Sequence, residues 1–582
     1  MIDEEHVELN GEERRKSYPH IMPDIREWPI YKQHRNREAF VEEIDAATHA
    51  RLVKKYGDKI EEVIASTIYT ERIRMKEEPW KVDPPGDAAF WAKIKSQLVK
   101  QSLDAEDEEA RVNNQQLLRK IIHRYSEEIV GTFKVKTFLF ARKFLTAFFS
   151  RLLKSASGRN FGRLFGKKKP VEERLRAEGE IEKIRELFDQ GTVVVVPTHF
   201  SNLDSILIGY VMDQVMGLPS FTYGAGLNLY NTGYTAYFMN RLGLYRVDRR
   251  KKNPIYLETL KTACKISVQK GTNNLFFPGG TRSRSGHLET KLKLGLLGSV
   301  VEAQRALYQE GKDEKVFIVP LILGYDVTLE AKFLIEQHLK RTGKEMYLSN
   351  SKDNFYSLRS ILKFAWKIFS ESSDITLSFG KPMDVLGNFV NADGVSYDRF
   401  GNPVRMREYF MSEGKITTDT QREFQYTQIL GNRIVERFHK ENIVLASHLV
   451  AFAAFNMLRR FNKQLDLYGI LRLPTEGIHF PLDVMSEVLE DLRKRLFEMD
   501  RKGQIKLSKN VINKSGEELI RCGVSDLGVY HAEKPLIFNK KDLLVSESFK
   551  LLYYYHNRLD NYSLEQYIVW DKTPQAAEVL EV

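Results

Sequence analysis

Residues 193–204 read Val-Val-Val-Val-Pro-Thr-His-Phe-Ser-Asn-Leu-Asp, and this stretch decides the fold class. The run of valines that closes with a proline predicts a fully buried strand from Thr192 to Pro197. A helix is expected to follow from Asn202 to Met216. A buried strand that passes directly into a helix is typical of α/β proteins, in which catalytic side chains often follow the carboxyl ends of strands.

The same alternation of strands and helices continues toward the carboxyl end. Pro254 in a first turn and Gly271 just past a helix end are good boundary signals. The predicted strands are Leu244–Asp248, Asn274–Pro278, Val316–Tyr325 and Asp374–Gly380, and the predicted helices are Pro254–Lys270 and Leu292–Gln309. This pattern predicts an α/β fold, a sheet covered by helices.

Helical patterns flank this α/β region on both sides, and a chain of 582 residues is too long for one compact core. The sequence therefore predicts five regions. They are an N-terminal helical domain (1–130), a basic amphipathic segment (131–170), the α/β domain (171–386), a loop or linker rich in Asn, Asp and Gly (387–418) and a C-terminal helical domain (419–582).

The basic segment carries the whole excess of positive charge. The formal net charge is +11, and residues 132–170 contain eleven Lys or Arg and no Asp or Glu, while the rest of the chain is balanced. The segment also has eight phenylalanines, and on a helix Lys136, Lys143 and Lys154 share a stripe beside an apolar face. This pattern predicts a helix in a membrane interface with an anionic surface. A core helix followed by a solvated basic linker is the alternative, and no nucleic-acid partner is expected because no binding motif accompanies the charge.

Other features predict the compartment. Two cysteines, Cys264 and Cys522, are too few for a disulfide framework and favour a reducing compartment. The acidic N-terminus lacks the pattern of a signal peptide. The longest apolar stretch, Ile443–Leu458, falls short of the roughly 20 residues that span a bilayer, so we expect a buried helix there. Together these features predict a peripheral protein on the cytoplasmic side of the cell membrane.

His199 and Asp204 are the candidate catalytic pair. His199 follows the buried strand, and Asp204 would lie in the first turn of the next helix and accept one imidazole proton. A carboxylate so placed fixes the tautomer and leaves the other ring nitrogen as a general base. Because no serine nucleophile accompanies the pair, it suits activation of a substrate hydroxyl. The spacing alone is a weak signal, and a structural histidine is the alternative.

A second candidate site follows the strand near residue 275. Residues 276–286 read Phe-Phe-Pro-Gly-Gly-Thr-Arg-Ser-Arg-Ser-Gly, and upstream residues 243–249 lead a strand into Arg249. Backbone amides, hydroxyls and guanidinium groups suit a phosphate monoester. Turns with ordinary surface arginines are the alternative. The sequence has no Gly-x-Ser-x-Gly, no phosphate loop ending in Gly-Lys-Ser/Thr and no His-Glu-x-x-His, so a serine hydrolase, an NTPase or a zinc protease is not expected.

Taken in order, four segments resemble the four conserved blocks of the glycerolipid acyltransferase superfamily. Residues 197–204 resemble the His-x4-Asp block, 243–249 the second block, which ends in arginine, 277–283 the third, and 318–322 the fourth, a strand with a central proline. The resemblance covers roughly Gly191–Tyr325. Within the superfamily, the long flanking regions are most similar to the large bacterial glycerol-3-phosphate acyltransferases.

The resemblance implies a mechanism and a set of site residues. His199 would take the proton of an acceptor hydroxyl, which attacks the thioester of acyl-CoA or acyl carrier protein, and Asp204 would orient the histidine. The acceptor would be a phosphate-bearing glycerol, and neither a metal nor a prosthetic group would be needed. The residues implied in substrate binding are Ser201, Arg249, Gly280, Thr281, Arg282, Ser283, Arg284 and Pro320.

Two positions depart from the family pattern. Arg246 stands where the second block usually has an aromatic residue, and Gly279 stands where the third usually has glutamate. The second departure bears on the acceptor, so a lysophosphatidate or other lysolipid acyltransferase is the alternative enzyme. A catalytically silent lipid-binding protein is the alternative of another class.

Overall fold

The computed structural model describes residues 18–104, 107–155, 175–230, 233–342, 375–528 and 531–570. Its centre is a seven-stranded sheet with the strand order β1-β7-β6-β2-β5-β3-β4. The strands are β1 (Leu175–Gly179), β2 (Gly191–Pro197), β3 (Thr222–Gly226), β4 (Tyr245–Val247), β5 (Asn274–Leu275), β6 (Lys315–Tyr325) and β7 (Ile375–Phe379). Strands β2 to β6 are mutually parallel, whereas β7 is antiparallel to β6 and parallel to β1. The carboxyl ends of β2 to β6 therefore share one edge of the sheet.

The N-terminal region is helical, as predicted. It contains α1 (Pro29–Arg35), α2 (Arg37–Tyr56), α3 (Ile60–Glu77), α4 (Asp87–Asp104) and α5 (Asp107–Ile129). The apolar faces of α2 to α5 form one core that includes Trp91 and Tyr125 and continues onto Tyr256 of the α/β region. The helix α6 (Val135–Ser155) follows and covers about half of the predicted basic segment, of which residues 156–170 lie outside the described residues.

Helices cover both faces of the sheet. They are α7 (Ile181–Leu187), α8 (Asp204–Tyr210), α9 (Gly233–Met239), α10 (Pro254–Gln269), α11 (Leu294–Gln309) and α12 (Ala331–Arg341). Successive valines of β2 point to opposite faces, so Val193 and Val195 join the core beneath α7 and α8, and Val194 and Val196 join the core beneath α10 and α11. The predicted α/β fold is confirmed.

The segment 387–418, predicted as a loop or linker, has secondary structure of its own. It contains β8 (Phe389–Val390), β9 (Ser396–Tyr397), β10 (Pro403–Val404), β11 (Met411–Ser412) and β12 (Lys415–Ile416). Asp384, just before the segment, and Asn391 within it accept backbone hydrogen bonds at two successive turns. Each strand is only two residues long, which is too short for periodicity in the sequence to reveal.

The C-terminal region is mostly helical, with short strands between the helices. Its helices are α13 (Thr420–Lys440), α14 (Ala446–Phe461), α15 (Leu467–Leu471), α16 (Leu482–Arg501), α17 (Lys509–Asn513), α18 (Gly516–Gly528) and α19 (Phe549–Asp560). Strands β13 (Ile443–Val444) and β15 (Lys506–Leu507) pair, as do β14 (His479–Phe480), β16 (Ile537–Phe538) and β17 (Leu544–Val545). The predicted buried helix is α14, which is the centre of this core. In the described ranges, no helix combines the length and the apolar character that crossing a membrane requires.

Candidate active site

The site lies at the edge of the sheet where β2, β4, β5 and β6 end. His199 follows β2, Arg249 follows β4, the loop 276–286 follows β5, and Glu330 follows β6. Because these strands are parallel, segments that are distant in sequence meet at one edge. The parallel arrangement of the strands therefore places a histidine, several arginines and a buried glutamate together.

His199 and Asp204 form the predicted pair. The Nδ1 atom of His199 lies 2.7 Å from Asp204 Oδ2. The same carboxylate oxygen accepts hydrogen bonds from the backbone N–H groups of Phe200 and Ser201, at 2.8 and 3.0 Å, and Tyr325 donates its hydroxyl to Oδ1 at 2.6 Å. Asp204 is fully buried. Its hydrogen bonds fix the carboxylate, which in turn fixes the imidazole and leaves Nε2 for chemistry.

The surroundings of His199 favour its neutral form. Burial lowers the pKa of His199 below its ordinary value of 6.5, the contact with Asp204 opposes this shift, and the charges of Arg282 and Arg249 lower the pKa further. The imidazole also stacks on the ring of Phe277, with 4.0 Å between the centroids. A neutral, oriented imidazole is the form that a general base requires.

A polar cavity of about 290 Å³ opens at His199. Five of the predicted site residues line it: His199, Arg249, Thr281, Arg282 and Arg284. Three guanidinium groups next to a neutral imidazole suit an anionic substrate that carries a hydroxyl, since arginine binds phosphate through paired N–H donors.

Four other predicted residues do not line this cavity. The hydroxyl of Ser201 donates to Glu330 Oε2 at 2.9 Å, and the Ser283 backbone N–H donates to the His199 carbonyl oxygen at 2.8 Å. Gly280 has a φ of +77°, a conformation that residues with side chains rarely adopt, and lies against the flexible end of Lys293. Pro320 is buried within β6. These four residues therefore lie outside the lining of the polar cavity.

The structure adds two residues that the sequence did not reveal. Glu330 is fully buried, and its Oε1 lies 3.1 Å from Nη1 of Arg282 and accepts the Asn202 N–H at 3.0 Å. Trp80 comes from the N-terminal region and lines the cavity, with the Arg250 guanidinium 4.9 Å from its ring centroid. Neither residue belongs to a motif, and only tertiary contacts bring them to the site.

The C-terminal region supports the loop 276–286. Asn557 of α19 donates its side-chain N–H to the Ser285 carbonyl oxygen at 2.8 Å, and Asp560 lies 3.0 Å from His287 Nε2. Gly286 has a φ of +89°, and a Cβ there would overlap the carbonyl oxygen of Tyr554. The loop and α19 are therefore packed backbone to backbone.

The N-terminal region supports the segment that carries Arg249. Its neighbour Arg250 forms ion pairs with Asp83 and, at 2.7 Å, with Asp248. Arg246, the other departure from the family pattern, lies over the ring of Tyr230, with 4.6 Å from its guanidinium carbon to the centroid. Arg246 therefore contacts an aromatic side chain within the fold.

An apolar groove of about 180 Å³ adjoins the polar cavity. The two share Ser205 and Tyr223 in their walls. Its apolar lining comes mainly from α6, α8 and α9, including Phe138, Phe144, Leu145, Met212 and Phe238. A hydrocarbon chain would fit such a surface. Across the described parts of the chain, no group of three or more His, Cys, Asp or Glu is arranged to hold a metal ion.

Comparison with known proteins agrees with this geometry. Residues 174–324 match the family model described as Acyltransferase. The chain is 26% identical over 311 residues to a glycerol-3-phosphate acyltransferase of Aeromonas hydrophila, which covers 53% of this chain and 34% of that protein. It is 24% identical over 397 residues to a glycerol-3-phosphate acyltransferase of Shewanella loihica, which covers 65% of this chain and 42% of that protein. The chain thus spans less than half the length of these curated relatives. The matched residues 174–324 contain His199, Asp204 and the arginines of the cavity, so the similarity to acyltransferases falls on the part of the chain that forms the site.

Proposed function

We propose that this protein transfers a fatty acyl group from a thioester to a hydroxyl of glycerol 3-phosphate. One observation carries the proposal: the His199–Asp204 pair opens onto a cavity lined by Arg249, Arg282 and Arg284. A base that activates a hydroxyl and guanidinium groups that hold a phosphate are the two elements that such an acceptor needs. The names of the relatives support the same acceptor.

In the proposed reaction, Nε2 of His199 takes the proton of the acceptor hydroxyl while that oxygen attacks the thioester carbonyl carbon. Asp204 stabilises the imidazolium that forms. The carbon–sulfur bond then breaks, the thiolate leaves, and the imidazolium returns the proton to the sulfur. The products are an ester and a free thiol, and the donor carrier is acyl-CoA or acyl carrier protein.

The apolar groove is proposed to hold the acyl chain. It adjoins the cavity at Ser205 and Tyr223, so a chain in the groove would place its thioester near His199. A lysolipid acceptor could use the same groove for its own chain, which makes lysolipid acylation the second candidate. The polar character of the cavity at His199 favours the small phosphate-bearing acceptor.

The test is an acceptor comparison. Purified protein is mixed with acyl-CoA, and free thiol is measured with glycerol 3-phosphate, with lysophosphatidate and with no acceptor. We expect thiol release only with glycerol 3-phosphate, together with a lysophosphatidate product by mass spectrometry. Release with lysophosphatidate alone would establish the lysolipid enzyme. If neither acceptor causes thiol release, with acyl-CoA or with acyl-loaded acyl carrier protein as the donor, the result would support the silent lipid-binding protein.

We further propose that α6 lies in the interface of an anionic membrane on the cytoplasmic side. Lys136, Leu139, Phe140, Lys143 and Phe144 are all exposed, so its outer surface combines cations with apolar side chains. Such a surface suits an interfacial helix. The helix also lines the apolar groove, so a product with an acyl chain would leave directly into the bilayer.

Point variants test this better than a deletion. Phe133 is buried beside Trp28, and Arg142 is bound to Asp213 at 2.8 Å, so removing the segment would disturb the fold. We expect the double variant Lys136→Glu, Lys143→Glu to reduce co-sedimentation with phosphatidylglycerol-containing vesicles, with each charge worth about 1 kcal/mol at low salt.

Two exposed lysines of the C-terminal region give the matched control, Lys502→Glu with Lys509→Glu. That control has the same charge change and should bind like the wild type. An equal loss of vesicle binding in both double variants would show that net charge alone causes the effect. No loss in either variant, at any salt concentration, would overturn the interfacial role of α6.

A further inference from the structure

Gly279 leaves a space in the loop after β5, and another side chain fills it. A Cβ built on Gly279 would lie 3.0 Å from both Cγ and Oε1 of Glu289. The backbone of Gly279 is outside the left-handed region, so its conformation does not itself require glycine. The resemblance places a glutamate at this position in related enzymes. Here a glutamate from ten residues further along the chain occupies the adjoining volume.

The carboxylate of Glu289 contacts the catalytic segment directly. Its Oε1 accepts a hydrogen bond from the backbone N–H of His199 at 3.2 Å. On the other side of the same residue, the His199 carbonyl oxygen accepts the Ser283 N–H at 2.8 Å. The backbone of the proposed base is thus held at both ends by the region 283–289. Because the imidazole is also tied to Asp204, a shift of this backbone would strain the histidine contact.

We infer that Glu289 is a positioning residue for His199, and that it supplies the carboxylate that related enzymes carry at the position of Gly279. The inference rests on the proposed acyl transfer, in which His199 is the base. Glu289 does not touch the reacting atoms in this arrangement. It acts through the His199 backbone and through the loop that carries Arg282.

The chemistry of the site explains why a carboxyl group rather than an apolar side chain stands here. Among the described residues Oε2 of Glu289 is buried and accepts no hydrogen bond, while Oε1 serves the His199 N–H. Burial raises the pKa of Glu289 to about 7, with backbone hydrogen bonds, including that of the His199 N–H, and the charge of Arg558 opposing the shift and Asp204 adding to it. A neutral carboxyl group keeps an acceptor oxygen for the His199 N–H, and so does a glutamine.

The inference makes glutamine the conservative variant and alanine the disruptive one. Glu289→Ala removes the acceptor, and we expect kcat to fall by about tenfold or more while the acceptor KM changes by less than about threefold. Glu289→Gln should keep at least about half of kcat at pH 7. Glu314→Ala is the matched control, because Glu314 is exposed at the opposite end of the sheet, next to the start of β6.

Relocating the carboxylate gives a readout that a merely structural role would not produce. Gly279→Glu in the wild-type background places two carboxylates in one space and should reduce kcat. The double variant Gly279→Glu, Glu289→Ala restores a single carboxylate there, and we expect it to recover kcat to within about fivefold of the wild type. Recovery above Glu289→Ala alone would show that the position of the carboxylate matters.

A spectroscopic measurement separates this inference from the proposed function. The proton between His199 Nδ1 and Asp204 should give a downfield proton NMR signal, assigned by its loss in His199→Ala. We expect the signal in the wild type, in Glu289→Gln and in the relocated double variant, and its loss or shift in Glu289→Ala. This holds whether or not the protein acylates glycerol 3-phosphate.

Several results would overturn the inference. One is wild-type kcat and an unchanged NMR signal in Glu289→Ala. Another is a folded double variant, with a wild-type circular dichroism spectrum, that is no more active than Glu289→Ala. A wild type that is inactive with every acceptor but shows the predicted NMR pattern would refute the acyl transfer and retain the positioning role.

Discussion

The two helical regions that flank the α/β domain support different segments of one site. The N-terminal region contacts the segment of Arg249, through the ion pair of Asp83 with Arg250 and the ring of Trp80. The C-terminal region contacts the loop that holds the His199 backbone, through Asn557 and Asp560 of α19. The N-terminal support reaches the phosphate side through the segment of Arg249, whereas the C-terminal support reaches a loop that carries Arg282 and Arg284 as well as the Ser283 contact to the His199 backbone. Changes in the N-terminal support should therefore alter acceptor affinity, and changes in the C-terminal support should alter both turnover and acceptor affinity.

The largest effect is expected on the proton-transfer side. His199→Ala should lower kcat by about 10² to 10⁴-fold, because general-base help is typically worth that much, while the acceptor KM stays nearly constant. Asp204→Asn should also be strongly impaired, since the amide no longer fixes the tautomer. Thiol release measures both rates, and thermal unfolding checks the fold. A folded His199→Ala variant that keeps more than about a tenth of the wild-type rate would show that another group is the base.

An intermediate effect is expected on the phosphate side. Arg249→Lys and Arg282→Lys keep the charge but lose the planar pair of N–H donors, so we expect the acceptor KM to rise by about tenfold and the donor KM to change little. Arg282→Lys should be the more severe, because Arg282 also pairs with buried Glu330 at 3.1 Å. The control is Arg399→Lys, because Arg399 is exposed in the turn between β9 and β10. An unchanged acceptor KM in both variants would remove the arginines from phosphate binding.

A smaller effect is expected from the supports themselves. Asp83→Asn weakens the N-terminal support, and we expect a rise of about two- to fivefold in the acceptor KM, since Arg250 keeps its second ion pair, with Asp248. Asp560→Asn weakens the C-terminal support, and we expect a fall of about two- to fivefold in kcat together with a rise of similar size in the acceptor KM, because the supported loop also carries Arg282 and Arg284. Steady-state kinetics of the two variants side by side test the separation. A fall of kcat in Asp83→Asn as large as that in Asp560→Asn would show that the two supports act on one element.

The sequence predicted the side of the site that is local in the chain. His199 and Asp204 are five residues apart, and a strand followed by a helix places them in contact at 2.7 Å. The helix boundaries at Pro254 and Gly271 were predicted for the same reason, since caps and breakers act on their own turn. The α/β alternation and the resemblance to acyltransferases are confirmed by the sheet and by the family match.

The other residues of the site, and strand β3, depend on contacts between parts of the chain that are distant in sequence. Glu330, Trp80 and Glu289 reach the site through packing, and none stands at a spacing that marks it. Strand β3 was missed because Tyr223-Gly-Ala-Gly lacks the β-branched residues that signal a strand, and Gly224 packs closely against the Tyr245 ring of β4. The directions of the Ser201 and Ser283 hydroxyls were equally hidden, since the first donates to Glu330 and the second to the His287 carbonyl oxygen.

The smallest expected effect tests whether the charges on the phosphate side change the pKa of His199. Burial lowers the pKa of His199, and the charges of Arg282 and Arg249 lower it further. His199 must be neutral to accept a proton, so kcat/KM should fall toward low pH and level off above about 6.5, the ordinary pKa of histidine. Arg249→Gln removes one cation and raises the pKa of His199, so the acid limb should move to higher pH by a few tenths of a unit.

The measurement needs two precautions. The same acceptor must be used for both proteins, so that the ionisation of the phosphate contributes equally to each profile. Both profiles should also be recorded in the Glu289→Gln background, because burial raises the pKa of Glu289 to about 7 and its carboxyl group would titrate in the same window. Arg399→Gln serves as the charge control. Superimposable acid limbs for Arg249→Gln and its parent would mean that the charge of Arg249 does not act on the base, and this arginine would then be electrically separate from His199.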